Sequence, residues 1–140
     1  MRKSAPSGYS GTPLPQKLGI KAGHRVAYLN APHDFGELMW HMPDDVTVTR
    51  RASGTADVLV LFATRAADLR KRFGAAKRAL ATDGGLWIAY PKKTSGVATD
   101  VDFGVAQRLG LGAGLVDNKS CAIDETWSAL RFVYRLADRP

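Results

Sequence analysis

A chain of 140 residues fits one domain, and a domain of that size buries roughly 70% of the surface its unfolded form exposes. With 45% hydrophobic and 24% charged residues it reads as an ordinary globular protein; the lone Cys121 excludes an internal disulfide framework and a cysteine-cluster metal site, and no apolar run approaches the ~20 residues that cross a bilayer. The formal charge of +7 is concentrated in residues 46–93, with ten basic and three acidic side chains, against five and four in 1–45 and five and six in 94–140; such a patch favours phosphate-bearing metabolites, nucleic acid or an acidic protein face.

In chain order, residues 1–11 are small and polar and read as a flexible tail ahead of a single domain over 12–140. Their positive start lacks the apolar run of a secretory signal, so a cytoplasmic location is expected. Thr12 offers an N-cap with Pro13 at the first helical position, and Leu14 to Leu18 fit a short helix ending at Gly19. Arg25 to Leu29 is a first strand, stopped by Asn30-Ala31-Pro32, and His33 to Trp40 reads as a short helix weakened by Gly36. Val46 to Thr49 alternates as a second strand. Asp57 to Phe62 is a continuous apolar run, the mark of a strand buried on both faces.

Thr64 stands as the cap of the strongest helix, in which Ala66, Leu69, Phe73, Ala76 and Leu80 share one stripe while Arg70, Lys71, Lys77 and Arg78 lie off it. Gly84-Gly85 precede a fourth strand, Leu86 to Tyr90. After the loop from Pro91 to Ala98, a helix is expected from about Thr99-Asp100 to Leu109. Leu115 to Ile123 makes a fifth strand. Leu130, Phe132, Tyr134 and Leu136 alternate with their neighbours in a sixth. Strands alternating with helices imply an α/β fold, a mainly parallel Rossmann-like three-layer sheet of about six strands with right-handed crossovers. The connection Asp124-Glu125-Thr126 is too brief for a parallel crossover, so the sheet should end in an antiparallel hairpin.

This order is similar to that of class I methyltransferases. Leu18 through Val26 resembles the lead-in to their first strand, and Leu80 through Gly85 into Leu86-Trp87-Ile88 resembles their passage of leucine, paired glycines and apolar strand. A likeness over nearly the full length is to a family of small bacterial proteins of unknown function. It is carried by Gly8-Tyr9-Ser10-Gly11-Thr12-Pro13-Leu14, by Trp87 through Pro91-Lys92-Lys93 to Ser95-Gly96-Val97-Ala98-Thr99-Asp100, and by Asp124-Glu125-Thr126-Trp127. That second resemblance implies no activity. The first implies S-adenosylmethionine, but the chain departs from it where the chemistry should be. The turn after the first strand, Asn30-Ala31-Pro32-His33, has no glycine, and Pro32 removes a donor. Arg50-Arg51 stands where the second strand should present a ribose-binding carboxylate, and one strand–helix unit is missing between Thr49 and Asp57. No cofactor is expected.

Ligands of open α/β sheets bind beyond the carboxyl ends of the strands. Four segments should meet there: Asn30 to His33, Arg50-Arg51, Ala63-Thr64, and Pro91 to Asp100. Lys92, Lys93, Ser95 and Thr99 form the expected anion site, with Arg50 adding charge and Asn30 a polar wall; Asp100 is the competing occupant of the helix start. His33 and Asp34 suit a general base or, alternatively, a capping pair. His33 and His41, without a third ligand, do not make a zinc site. Asp124 and Glu125 read as a solvated turn anchored by Trp127. Neither a P-loop nor a nucleophile elbow is present. The leading expectation is a non-catalytic module for a small anion or nucleotide-like ligand, with a protein partner also compatible. The alternatives are a transferase with atypical cofactor binding that uses His33 or Asp34, and a nucleic-acid binder using the basic 46–93 region.

Overall fold

The computed structural model describes residues 11–139; the expected tail thus lies outside the described residues except for Gly11, as does the start of the Gly8–Leu14 motif. Six strands, β1 (Arg25–Leu29), β2 (Thr47–Thr49), β3 (Ala56–Phe62), β4 (Leu80–Pro91), β5 (Leu115–Ala122) and β6 (Trp127–Tyr134), form one sheet in the order β2-β1-β3-β4-β6-β5. The first four strands in that order are parallel, β6 is antiparallel to β4, and β5 is antiparallel to β6. The chain is therefore α/β with a mixed, mostly parallel sheet closed by an antiparallel hairpin. Among the described residues, no helix is long and apolar enough to cross a membrane.

Helices α2 (Ala66–Ala79) and α3 (Phe103–Gly112) cover one face, where Leu69, Phe73 and Ala106 pack on Leu59, Leu86 and Phe132. The opposite face is covered by α1 (Leu14–Lys17) and a 3-10 turn at Phe35–Leu38, with Leu18, Phe35 and Met39 against Val60, Phe62 and Trp87. Strand β3 is buried on both faces because it sits between two parallel neighbours under both layers.

The connection from β2 to β3 is unusual. Parallel crossovers normally need a dozen or more residues and a helix. Here residues 50–55 suffice, and Ala52 is their contact with the α2-side core. The absence of a helix in this connection leaves the flank of α2 beside β1 and β2 open.

Several expected boundaries are corrected. Thr12 does not cap α1: Pro13 holds the N-cap position with no side-chain bond. The helix expected over His33 to Trp40 is a single 3-10 turn, Phe35–Leu38, because Asp34 and Met39, at φ −96° and ψ 8° and at φ −97° and ψ 41°, leave the helical region on both sides of it within that span. Thr64 does not cap α2, whose N-cap position is Arg65. The helix expected from Thr99 begins instead at Phe103, capped by Asp102, whose Oδ1 accepts the Val105 N–H at 2.9 Å. Strand β4 starts directly at the end of α2, six residues before Leu86, with a bulge between the pairs Ala56–Leu80 and Val58–Gly85.

Candidate functional site

The sheet connections leave β1 toward β2 on one face and β2 toward β3 on the other, so the chain reverses direction at the β1–β3 boundary, the usual ligand crevice of such sheets. Asn30 stands at this boundary. It leaves β1 in the left-handed region at φ 57°, which asparagine tolerates better than most side chains. Its Nδ2 donates to the Phe62 carbonyl at 2.9 Å and to Asp68 Oδ2 at 3.2 Å. Asp68 in turn accepts from Arg72 Nε at 2.9 Å, one helical turn on. Asn30 thus ties the ends of β1 and β3 to the first turn of α2.

Beside this tie lies a cavity of about 490 Å³, with Leu29, Ala52 and Ala75 as its apolar wall and Asn30, Arg50, Arg51, Lys71 and Arg72 as its polar one. Of the four cations, Arg72 alone has a carboxylate partner among the described residues. The Arg51 N–H donates to Thr49 Oγ1 at 3.0 Å, which fixes the bend that turns residues 50 and 51 off the strand. The Arg50 guanidinium lies 6.0 Å from the centre of the Tyr28 ring. Burial pushes the Tyr28 hydroxyl up to about 12, against the opposing pull of Arg50, so the phenol beside Arg50 stays neutral.

The segment after β4 is built differently. The Lys92 N–H donates to Thr126 O at 2.8 Å, joining this loop to the hairpin turn. Ser95 Oγ donates to Lys92 O at 2.7 Å and accepts the Val97 N–H, and Gly96 takes a φ of 77°. Thr99 Oγ1 donates to Thr64 O at 2.6 Å and accepts the Val101 N–H. Asp100 Oδ1 accepts the Ala66 N–H at 2.6 Å, so it caps α2 rather than the helix that follows it. Lys92, Lys93 and Thr99 line a separate cavity of about 310 Å³ in which Asp100 and Asp102 face the two lysines.

The six residues expected to form one site are therefore divided. Asn30 and Arg50 share the cationic cleft; Lys92, Lys93 and Thr99 line the second, charge-balanced cavity; Ser95 lines neither. The helix start that was to supply free N–H groups at Thr99 lies at Phe103 and is closed by Asp102. Arg51, expected with Arg50 at the strand ends, completes the first cleft together with Lys71 and Arg72, whose only signal in the sequence is the charge excess of residues 46–93.

His33 and Asp34 are exposed and line neither cavity. Asp124 Oδ1 accepts the N–H groups of Thr126 and Trp127, both at 2.8 Å, and the Trp127 ring meets Phe62 edge-on at 5.0 Å. That loop is thus a locked hairpin turn. Among the described residues no group of three His, Cys, Asp or Glu side chains could hold a metal ion. Neither a protein-family model nor a curated protein matches this chain.

Proposed function

We propose that the protein is a binding module, not a catalyst, which holds a small phosphate-bearing, nucleotide-like ligand in the Asn30–Arg50–Lys71 cleft of a reduced methyltransferase-like fold. The observation that carries this reading is the gathering of Arg50, Arg51, Lys71 and Arg72 around one cavity with, among the described residues, a single carboxylate partner between them. Arginine forks suit phosphate oxygens, and an apolar wall of Leu29, Ala52 and Ala75 gives a base or other flat group a surface to rest on. The strand order also supports the fold assignment. Removing the outermost strand of the doubly wound order 3-2-1-4-5 leaves the arrangement of β2, β1, β3 and β4 seen here.

An adenosyl sulfonium donor fits this corner poorly. Arg50 and Arg51 only donate hydrogen bonds, whereas ribose hydroxyls are held by a carboxylate. The Asn30 amide is engaged by Phe62 and Asp68, and Phe35, 1% exposed, packs between Tyr28 and Phe62 beneath the turn.

Calorimetric titration of the full chain with ADP, pyrophosphate, adenosine and S-adenosylmethionine tests this reading. ADP and pyrophosphate should bind, adenosine and S-adenosylmethionine should not. The Arg50→Gln/Arg51→Gln double variant should lose about tenfold or more in affinity, the worth of one charge-assisted contact. An absence of heat with ADP and pyrophosphate at millimolar concentration would sink the proposal. Tight binding of single-stranded oligonucleotides with steep salt dependence, and none of ADP, would transfer the cleft to nucleic acid.

A further inference from the structure

The opposite end of the sheet, where β1, β3 and β4 begin, holds another cavity, of about 360 Å³. Its most informative residue is Arg131. In β6 it pairs with Trp87 of β4 on one side and with Lys119 of β5 on the other, so the sheet's register sets two cations next to each other. The guanidinium lies flat on β4 at Gly85: a Cβ placed there would come within 2.3 Å of Arg131 Nε. The glycine is thus the seat of this arginine. Arg131 is half-buried, yet among the described residues its only side-chain bond is a long 3.4 Å contact to Asn118 Oδ1, and no carboxylate there pairs with it. Burial, with Arg139 nearby, lowers its proton affinity, as expected of a cation that nothing compensates.

The side facing Arg131 is equally basic. Helix α1 and the turn after it bring Lys17 and Lys21 to the same cavity, and neither has an ion pair among the described residues. His24 also lines it; its Nδ1 accepts the Lys21 N–H at 3.1 Å, which leaves the neutral ring protonated at Nε2, a further donor. Two carboxylates, Asp57 and Asp83, complete the wall, and Asp57 Oδ2 already accepts the Arg25 N–H at 2.8 Å. The Trp87 indole is spent on Leu18 O at 3.1 Å, so the floor is rigid. Four cations against two carboxylates leave a net attraction for an anion of more than one charge. Because the cations approach from two sides, from α1 and from the sheet, they suit a tetrahedral oxyanion better than a planar carboxylate.

We propose that this amino-end cavity is a second ligand site, independent of the carboxyl-end cleft, for the phosphate group of a hydroxylated phosphate monoester. Lys17, Lys119 and Arg131 hold the phosphate, and Asp57 and Asp83 accept from the ligand's hydroxyls. Nuclear magnetic resonance of the full chain, titrated with glycerol 3-phosphate at ionic strength matched by sodium chloride, reads the site directly. The Trp87 indole N–H and the Gly84, Gly85 and Lys119 amides should shift saturably. Arg131→Gln and Lys119→Gln should each weaken the binding about tenfold, whereas Arg50→Gln/Arg51→Gln should leave these shifts unchanged. Lys119 is exposed, so its variant keeps the test decisive if Arg131→Gln does not fold. Shifts reproduced by chloride alone, or absent at millimolar glycerol 3-phosphate, would overturn the site. So would shifts abolished by the Arg50/Arg51 variant and untouched by the other two. Failure of ADP binding at the first cleft leaves this outcome unaffected.

Discussion

Two glycines of α3 show how a single hydrogen can decide a position. Gly110 is buried, and a Cβ built on it would lie 2.1 Å from Cε1 and 2.3 Å from Cδ1 of Phe132, itself fully buried in the core. Gly112, two residues on, has nothing within 4 Å and is exposed. Intrinsic propensity favours alanine over glycine in a helix by about 1 kcal/mol. At Gly112 that gain should appear, raising stability by up to about 1 kcal/mol. At Gly110 it is overwhelmed, because the phenyl ring cannot retreat through a packed interior, and overpacking costs typically ~1–3 kcal/mol. Urea unfolding of Gly110→Ala and Gly112→Ala should therefore give midpoints that move in opposite directions. Midpoints moving the same way would show that α3 does not press on Phe132 as described. The same contact explains why α3 lies so close to β6: the helix has no side chain at its point of approach.

At the scale of elements, the two longer helices are tied together at their starts. Helix α2 has no cap of its own; Asp100, 34 residues away in sequence, accepts the Ala66 N–H, and Thr99 donates to the Thr64 carbonyl. Helix α3 is capped in the ordinary local way by Asp102. Replacing Asp100 by alanine should cost about 1 kcal/mol of global stability, the usual worth of an N-cap, with Asp100→Asn retaining most of it. An unchanged denaturation midpoint in Asp100→Ala would show that water caps α2 equally well. This arrangement also marks where sequence reading stops. Arg25 to Leu29 was legible to the residue, and the antiparallel pairing of the last two strands in kind, because burial period and connection length are local properties; β6 itself runs Trp127–Tyr134, and Leu136 lies beyond it in a 3-10 turn. The cap of α2 is misread as Thr64 because a carboxylate supplied by another segment leaves no trace at the helix it serves; the start of α3 is misread as Thr99-Asp100, three residues before its own local cap-and-start at Asp102-Phe103. The site was half legible. Asn30 and Arg50 could be placed by their positions at strand ends. Lys71 and Arg72 could not, since helical periodicity separates core from surface and says nothing about a cleft on the helix flank. The seat of Arg131 on Gly85 is a matter of cross-strand register, which no single strand encodes.

Over the whole molecule, the excess of +7 is opposed by few ion pairs; the two found among the described residues are exposed contacts three and four residues apart, Arg72–Asp68 and Arg135–Asp138. Such pairs contribute little, so the folded state carries a net self-repulsion that any bound anion relieves. The two basic cavities lie at opposite ends of the sheet and share no lining residue, so their contributions should add. A ligand present at ten times its dissociation constant stabilises the fold by ~1.4 kcal/mol, which raises the melting temperature of a chain this long by about 5 °C. ADP together with glycerol 3-phosphate should therefore raise it by about twice as much as either alone, at matched ionic strength. Arg50→Gln/Arg51→Gln should remove the ADP increment only, and Lys119→Gln should reduce the glycerol 3-phosphate increment only. Thermal denaturation followed by circular dichroism measures this directly. If sodium chloride of equal ionic strength gave the same rise, the effect would be screening of a diffuse charge, and neither cavity would be acting as a site. If both increments vanished together in one variant, the two ends would be coupled through the sheet, because binding at one end would then depend on the state of the other.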